Sequence, residues 1–295
     1  MTAIVEVHRL TKRFGSVTAV DEASFAVQEN SICGLLGRNG AGKTTLMQLI
    51  TGQEFASSGT MRVFGESPVE NAAVLGRTCF VKESQTYPEG FSGKHVLKAA
   101  KWAFPDWDDA LARELVEEFG VPLDRRMKKL SRGQRSAIGV VIGIAARADL
   151  TIFDEPYAGL DAVARQIFYD RLLRDYSSYP RTVVMSTHLI DEVADLLDHV
   201  VVIDAGKILI DAESDELRGA AVTVAGLHAA VQQFTDGRDV LAWDSLGGLA
   251  TATVARLTAG ERDAATRLGL EMRAVSLQQL IIDRTRGIAR AENAS

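Results

Sequence analysis

Gly37-Arg38-Asn39-Gly40-Ala41-Gly42-Lys43-Thr44 is the stretch that decides how this chain is read. It fits the spacing of glycine, four residues, then Gly-Lys-Thr, the phosphate-binding P-loop pattern. Glycines also gather in ordinary turns, so the flanks matter. The apolar run 31–36 predicts a buried strand ending at the loop, and 44–50 predicts a helix opening after it. Strand, loop and helix in that order is the setting in which such a loop works. Its glycines let the backbone close around phosphate oxygens with amide hydrogens turned inward. The start of the helix adds a partial positive charge. Lys43 is then placed to reach the outer phosphates, and the Thr44 hydroxyl to offer an oxygen to Mg²⁺.

Outward from the loop, residues 4–7 and 17–27 predict short strands around a turn at Gly15, and 60–64 and 78–82 predict two more. Over 92–120, Val96, Leu97, Ala100, Leu111, Leu115 and Phe119 recur at helical spacing, and Pro105 divides the segment into at least two helices. Ser131 suits the cap of a helix over 134–147. Residues 150–153 and 182–186 are apolar strands ending in polar residues, with an amphipathic helix over 162–176 between them. Residues 200–204 and 207–210 predict a hairpin turning on Ala205-Gly206. This alternation implies an α/β core with a mainly parallel sheet. Its polar motifs fall at strand ends, where open α/β sheets bind ligands.

Three further runs narrow the reading. Leu130-Ser131-Arg132-Gly133-Gln134 puts a hydroxyl and a glycine amide at a helix start, which makes an anion site. Ile152-Phe153-Asp154-Glu155-Pro156 ends an apolar strand in two acids, which suits a metal-facing carboxylate next to a base for a water. Ser186-Thr187-His188 closes another buried strand. In this order the motifs resemble the nucleotide-binding subunit of an ATP-binding cassette (ABC) transporter, over about residues 4–210. The resemblance implies a P-loop NTPase core with a RecA-like parallel sheet, an antiparallel β subdomain and an α-helical subdomain over about 84–147. The expected division is an ATPase domain over 1–215 and a small C-terminal α+β domain over 220–295.

The family also implies roles, residue by residue. Gly37, Arg38, Asn39, Gly40, Ala41, Gly42, Lys43, Thr44 and Thr45 would hold the phosphates of ATP, with Thr45 at the α-phosphate, and Phe14 would stack on adenine. Phe14 as a core residue is the other reading. Asp154 with Thr44 would serve Mg²⁺, Glu155 would act as base on the attacking water, and His188 would contact the γ-phosphate. Ser131, Arg132, Gly133 and Gln134 would face the ATP of a second subunit, with Asp161 of the Ala158-Gly159-Leu160-Asp161 run aligning that opposite site. Two positions depart from the family pattern. Arg132 stands where its signature has glycine, and Glu83 where it has a metal-touching glutamine, with Gln85 two residues on. Residues 87–91 with Trp102, Phe104 and Trp107 form a candidate groove for a permease helix, or simply the core of the helical subdomain.

Composition sets the outer limits. The chain has 295 residues and a net charge of -6, which argues against a broad nucleic-acid surface. No run approaches the roughly 18 apolar residues of a membrane span, and the N-terminus lacks the pattern of a secretion signal. Cys33 and Cys79 sit in apolar runs and are expected to be buried free thiols. The polar stretch 211–219 is expected to be a linker. Beyond it, 222–275 predicts strands near 240–244 and 249–254, followed by a helix over 276–284, with no evident chemistry. The expected protein is therefore an ATPase at the cytoplasmic face of the membrane. It would pair with its own copy or a paralogue and drive a separate permease, with export favoured. An importer subunit and a non-transport ABC ATPase acting on nucleic acid or ribosomes are the alternatives.

Overall fold

The computed structural model describes residues 2–83 and 85–283. In chain order the first part runs β1 (Ala3–Phe14), β2 (Val17–Gln28), β3 (Ile32–Leu36), α1 (Lys43–Ile50), β4 (Ser58–Val63), α2 (Ala72–Leu75) and β5 (Thr78–Val81). It continues with α3 (Gly93–Ala103), α4 (Asp109–Glu118), a 3₁₀ turn at Met127–Lys129, α5 (Arg132–Ala145), β6 (Leu150–Asp154), α6 (Ala162–Ser178) and β7 (Thr182–Thr187). After α7 (Ile190–Val193) come β8 (His199–Asp204) and β9 (Lys207–Glu213). The remainder is α8 (Ser214–Leu217), β10 (Ala221–Leu227), α9 (His228–Thr235), β11 (Val240–Leu246), β12 (Leu249–Ala255), α10 (Ala259–Arg267) and β13 (Glu271–Ala274). Residues 277–283 are helical, and the end of the helix expected over 276–284 lies outside the described residues.

The chain divides into two compact units. One comprises the residues up to His188 with Leu196–Asp211, and the other Leu189–Asp195 with the residues from Ala212 onward. In the first, a six-stranded sheet has the order β5-β6-β7-β3-β8-β9. The pairs β5–β6, β6–β7, β7–β3 and β3–β8 are parallel. Every residue of β3, β6 and β7 is buried, as expected of strands covered on both faces. A second sheet, β2-β1-β4, is antiparallel, and β1 runs on to Phe14 because its end pairs with β2 across the Gly15 turn. Ala205 and Gly206 both have positive φ (45° and 83°), the conformation of a tight hairpin turn. Cys33 and Cys79 are buried free thiols, and burial pushes the Cys79 thiol up to about 12.

The second unit is a four-stranded antiparallel sheet, β11-β12-β10-β13, packed with α9 and α10 around Val224, Val231, Phe234 and Val254. The expected linker over 211–219 is corrected here. β9 continues to Glu213, and α8 takes up the next four residues. Among the described residues no helix is long and apolar enough to cross a membrane.

Candidate functional site

The strand order places three parallel ends side by side, because β7 lies between β3 and β6. The loop of residues 37–42 leaves β3, Asp154 and Glu155 end β6, and His188 follows β7. Gly42 begins α1 with φ 111°, and a Cβ there would lie 2.4 Å from the Ala19 carbonyl oxygen. Only glycine satisfies both demands. It caps α1 without a side chain, so the first amides of that helix have no side-chain acceptor from the cap. Lys43 is buried, and its Nζ donates to the carbonyls of Gly37 (2.8 Å) and Arg38 (3.2 Å). Around it, Arg38, Asn39, Gly40 and Thr44 are exposed, Ala41 is buried, and Gly37 and Thr45 are half-buried.

Asp154 is fixed from both sides. Thr44 Oγ1 donates to Oδ2 (3.0 Å) and Ser186 Oγ donates to Oδ1 (2.9 Å). Burial raises the carboxyl above its ordinary range. The two hydroxyls oppose that shift, and the nearby Glu155 and Glu83 carboxylates add to it. A site that favours the neutral acid in this way is one where a cation would restore the charged form. Glu155 has φ 47°, an unusual conformation for a residue with a side chain. Its amide donates to Ser186 Oγ at 2.9 Å. One carboxylate oxygen, Oε2, lies 2.7 Å from His188 Nδ1 and accepts a 2.5 Å bond from the Tyr157 hydroxyl. The other, Oε1, is buried without a hydrogen-bond partner and lies 3.7 Å from Lys43 Nζ. Since Oε2 accepts, His188 carries its proton on Nδ1.

The run 130–134 opens α5, and its Arg132 lines one cavity together with Asp154 and Glu155. Ser131 caps α5 reciprocally, its Oγ accepting from the Gln134 amide (3.1 Å) while Gln134 Oε1 accepts from the Ser131 amide (3.1 Å). Gly133 lies against the turn after β6, where a Cβ would meet the Gly159 carbonyl oxygen at 2.4 Å. Ser136 Oγ donates to the Ala158 carbonyl at 2.6 Å, fastening the same contact. Asp161 is exposed and caps α6 through the Ala164 amide (2.8 Å). Arg132 forms an ion pair with Glu83, so the two departures from the family pattern meet. Gln85 is exposed, and its side chain donates to the Thr86 carbonyl. A cavity of about 660 Å³ is lined by Glu83, Gln85, Tyr87, Phe104, Asp154 and Glu155, among others.

The structure thus gathers Lys43, Thr44, Asp154, Glu155 and His188 within one bonded network, whereas Ser131, Arg132, Gly133, Gln134 and Asp161 are bonded elsewhere, Arg132 to Glu83 in the lining of the same cavity. Neither Glu83 nor Gln85 bonds directly to Thr44 or Asp154 among the contacts seen. Phe14 is 46% exposed, which removes the reading as a core residue, and Lys12 Nζ lies 4.6 Å from its ring centroid. Trp102 is exposed and lies outside the cavity lining, whereas Tyr87 and Phe104 line it. Sequence reasoning gave no role to Tyr157 or Ser186. Both bond to a side chain already singled out, and no spacing rule exposes them.

The family profile described as ABC transporter matches residues 20–158. The chain is 32% identical to the Nod factor export ATP-binding protein I of Cupriavidus metallidurans over 224 residues, covering 74% of this chain and 73% of that one. It is 30% identical to the daunorubicin/doxorubicin resistance ATP-binding protein DrrA of Streptomyces peucetius over 225 residues, covering 74% and 68% respectively. A solved ATP-binding subunit of an ABC transporter superposes with a TM-score of 0.64 at 22% identity, covering 72% of this chain and 91% of that one. A dimeric cassette in a post-hydrolysis state, bound to ADP and Pi, gives 0.62 at 16% identity, covering 71% and 98%. With the P-loop, the paired acids and the capped 130–134 run already in place, these likenesses show that the chain belongs to the ABC transporter family of ATP-binding subunits, ATPases that power a permease.

Proposed function

We propose that this chain hydrolyses ATP as one of two nucleotide-binding subunits, paired with its own copy or a paralogue, and drives export of a drug, peptide or lipid-like compound. The observation that carries the hydrolytic reading is the buried Oε1 of Glu155, without a hydrogen-bond partner and 3.7 Å from Lys43 Nζ. A buried carboxylate oxygen left without a donor is costly, so its natural partner is a group that arrives with the substrate. An attacking water beside the γ-phosphate is such a group, and Oε1 is placed to take its proton.

Each remaining residue then has a task. The backbone of residues 37–42 and the first turn of α1 take the phosphates, and Lys43 exchanges its two carbonyl partners for phosphate oxygens. Phe14 offers an exposed ring face to adenine once the Lys12 ammonium is displaced. The Thr44 hydroxyl and the Asp154 carboxylate are oxygen donors of the kind Mg²⁺ takes, and the raised pKa of Asp154 fits a neighbouring cation. When bound, Mg²⁺ would neutralise charge on the phosphate oxygens. Among the described residues no cluster of three or more His, Cys, Asp or Glu could cage a metal, which suits an ion held mainly by phosphates and water. His188 donates its Nδ1–H to Glu155, and with a second proton on Nε2 it would also donate to the γ-phosphate. Ser131 Oγ already accepts a bond and keeps its own proton for the ATP of the other subunit, with the Gly133 amide beside it. Glu83 and Gln85 stand at the cavity whose apolar residues, Tyr87 and Phe104, suit a permease helix.

Export is supported by the relatives named for Nod factor export and for daunorubicin/doxorubicin resistance. The place of work is then the cytoplasmic face of the membrane, reached through the permease. Mixed dimers test the shared site. Pairing a Lys43→Ala chain with a Ser131→Ala chain leaves one intact composite pocket, and about half the turnover is expected. Placing both changes in one chain opposite a wild-type chain damages both pockets, and turnover is expected to collapse. Equal activity in the two arrangements removes the shared-site reading.

A further inference from the structure

Tyr157 has no part in the scheme above, yet its hydroxyl oxygen meets four groups at the strand ends. It donates to Glu155 Oε2 (2.5 Å), lies 2.8 Å from Thr187 Oγ1, accepts from the His188 amide (3.0 Å), and lies 3.4 Å from His188 Nδ1. We propose that Tyr157 is a positioning residue for hydrolysis: its O–H occupies Oε2 of Glu155 and so reserves Oε1 for the attacking water. The proposal rests on the reading of Glu155 as the base.

A phenol has one proton and can accept two bonds. The carboxylate is the strongest acceptor within reach, so the proton goes to Oε2. The His188 amide and the Thr187 hydroxyl then hold the phenol oxygen from the β7 side. His188 Nδ1 donates to the same Oε2, so this oxygen holds two donors while Oε1 holds none. A glutamate side chain otherwise samples several rotamers, and two donors on one oxygen select a single presentation of the other. The two side chains meet just past the end of β6, where Glu155 has φ 47°. Tyr157 is buried, and its ring meets His188 edge-on (5.7 Å, 67°), so the clamp is itself held. Burial, and then the hydrogen bond and charge of Glu155, raise the phenol well above its ordinary range, which keeps it a donor.

Tyr157→Phe keeps the ring and removes only the oxygen. In the full chain with Mg²⁺ and ATP, kcat is expected to fall about tenfold to a hundredfold, the loss of one hydrogen bond to a charged group. KM and nucleotide affinity should stay within about twofold. On a Glu155→Gln background the same exchange should leave the residual single-turnover rate unchanged, because no carboxylate remains to orient. Tyr157→p-aminophenylalanine restores a donor and should recover much of the lost rate. That rescue also decides the matter if Tyr157→Phe lowers the melting temperature. An unchanged kcat in Tyr157→Phe, an equal loss on the Glu155→Gln background, or failure of the donor-restoring variant each overturns the clamp. The base assignment fails separately: it falls, and the clamp with it, if Glu155→Gln alone turns over like the wild type.

Discussion

Lys43, Asp154 and Glu155 are only 6, 4 and 9% exposed at the strand ends, whereas Ser131, Arg132 and Asp161 stand in solvent on the surface of the same unit. The buried set is bonded across β3, β6 and β7, side chain to side chain. The hydroxyl of Ser131 and the carboxylate of Asp161 are bonded to amides of the helices they cap. The contrast is one of completeness. Buried charges at close range interact strongly and are held before any ligand arrives. Exposed groups are screened by water and gain weight only when another surface covers them. Changes to the buried half should therefore be felt by a single chain, and changes to the exposed half only by an assembled pair.

The largest expected effect tests the buried half. Lys43→Ala takes away the cation beside Glu155 Oε1, the group proposed above to hold the outer phosphates. Nucleotide binding by the isolated chain should weaken about a hundredfold or more, and turnover should fall further. Tight nucleotide binding in this variant breaks the comparison at its stronger end. Gly133→Ala comes next. Its Cβ would sit 2.4 Å from the Gly159 carbonyl oxygen, backbone against backbone, with no flexible atom to yield. The cost is expected to be about 1–3 kcal/mol of stability, with lower turnover as 130–134 is pushed off the following loop. Nucleotide affinity of the isolated chain should hold. If it falls as in Lys43→Ala, the two halves are one structure and the distinction fails.

Much of the buried half is visible in the sequence because it follows strand ends. The runs 31–36, 150–153 and 182–186 are mostly apolar, as suits strands covered on both faces, and each is followed by the polar residues of the site. Tyr157 is invisible there. Its partner lies two residues away, but past the end of β6, where Glu155 takes a positive φ that composition does not announce. The edge strand β9 was hidden for another reason. As the last strand of the sheet it is partly exposed, so its closing residues are polar and 211–219 has the look of a linker. Phe14 shows the same limit in reverse, since an aromatic at a strand end suits a core as well as a surface until its exposure is known.

Arg132 and Glu83 offer the smallest effect and the sharpest test of the exposed half. Both depart from the family pattern, and they pair across 49 positions of sequence. Their side chains are 62% and 40% exposed, and a pair so placed contributes about 0–1 kcal/mol. Arg132→Gly and Glu83→Gln, alone and together, should each shift the stability of the isolated chain by less than about 1 kcal/mol, and less again at high salt. The stem of Arg132 also lies close over Gly159, within the surface a second subunit would cover. In ATP-bound pairs trapped by Glu155→Gln, that cover removes water from around the charges, and the coupling between positions 83 and 132 should rise above its value in the single chain. A coupling above about 2 kcal/mol in the isolated chain would mean that this surface is as preorganised as the strand ends. A coupling that stays near zero in the trapped pair would mean that the two departures meet without consequence for assembly.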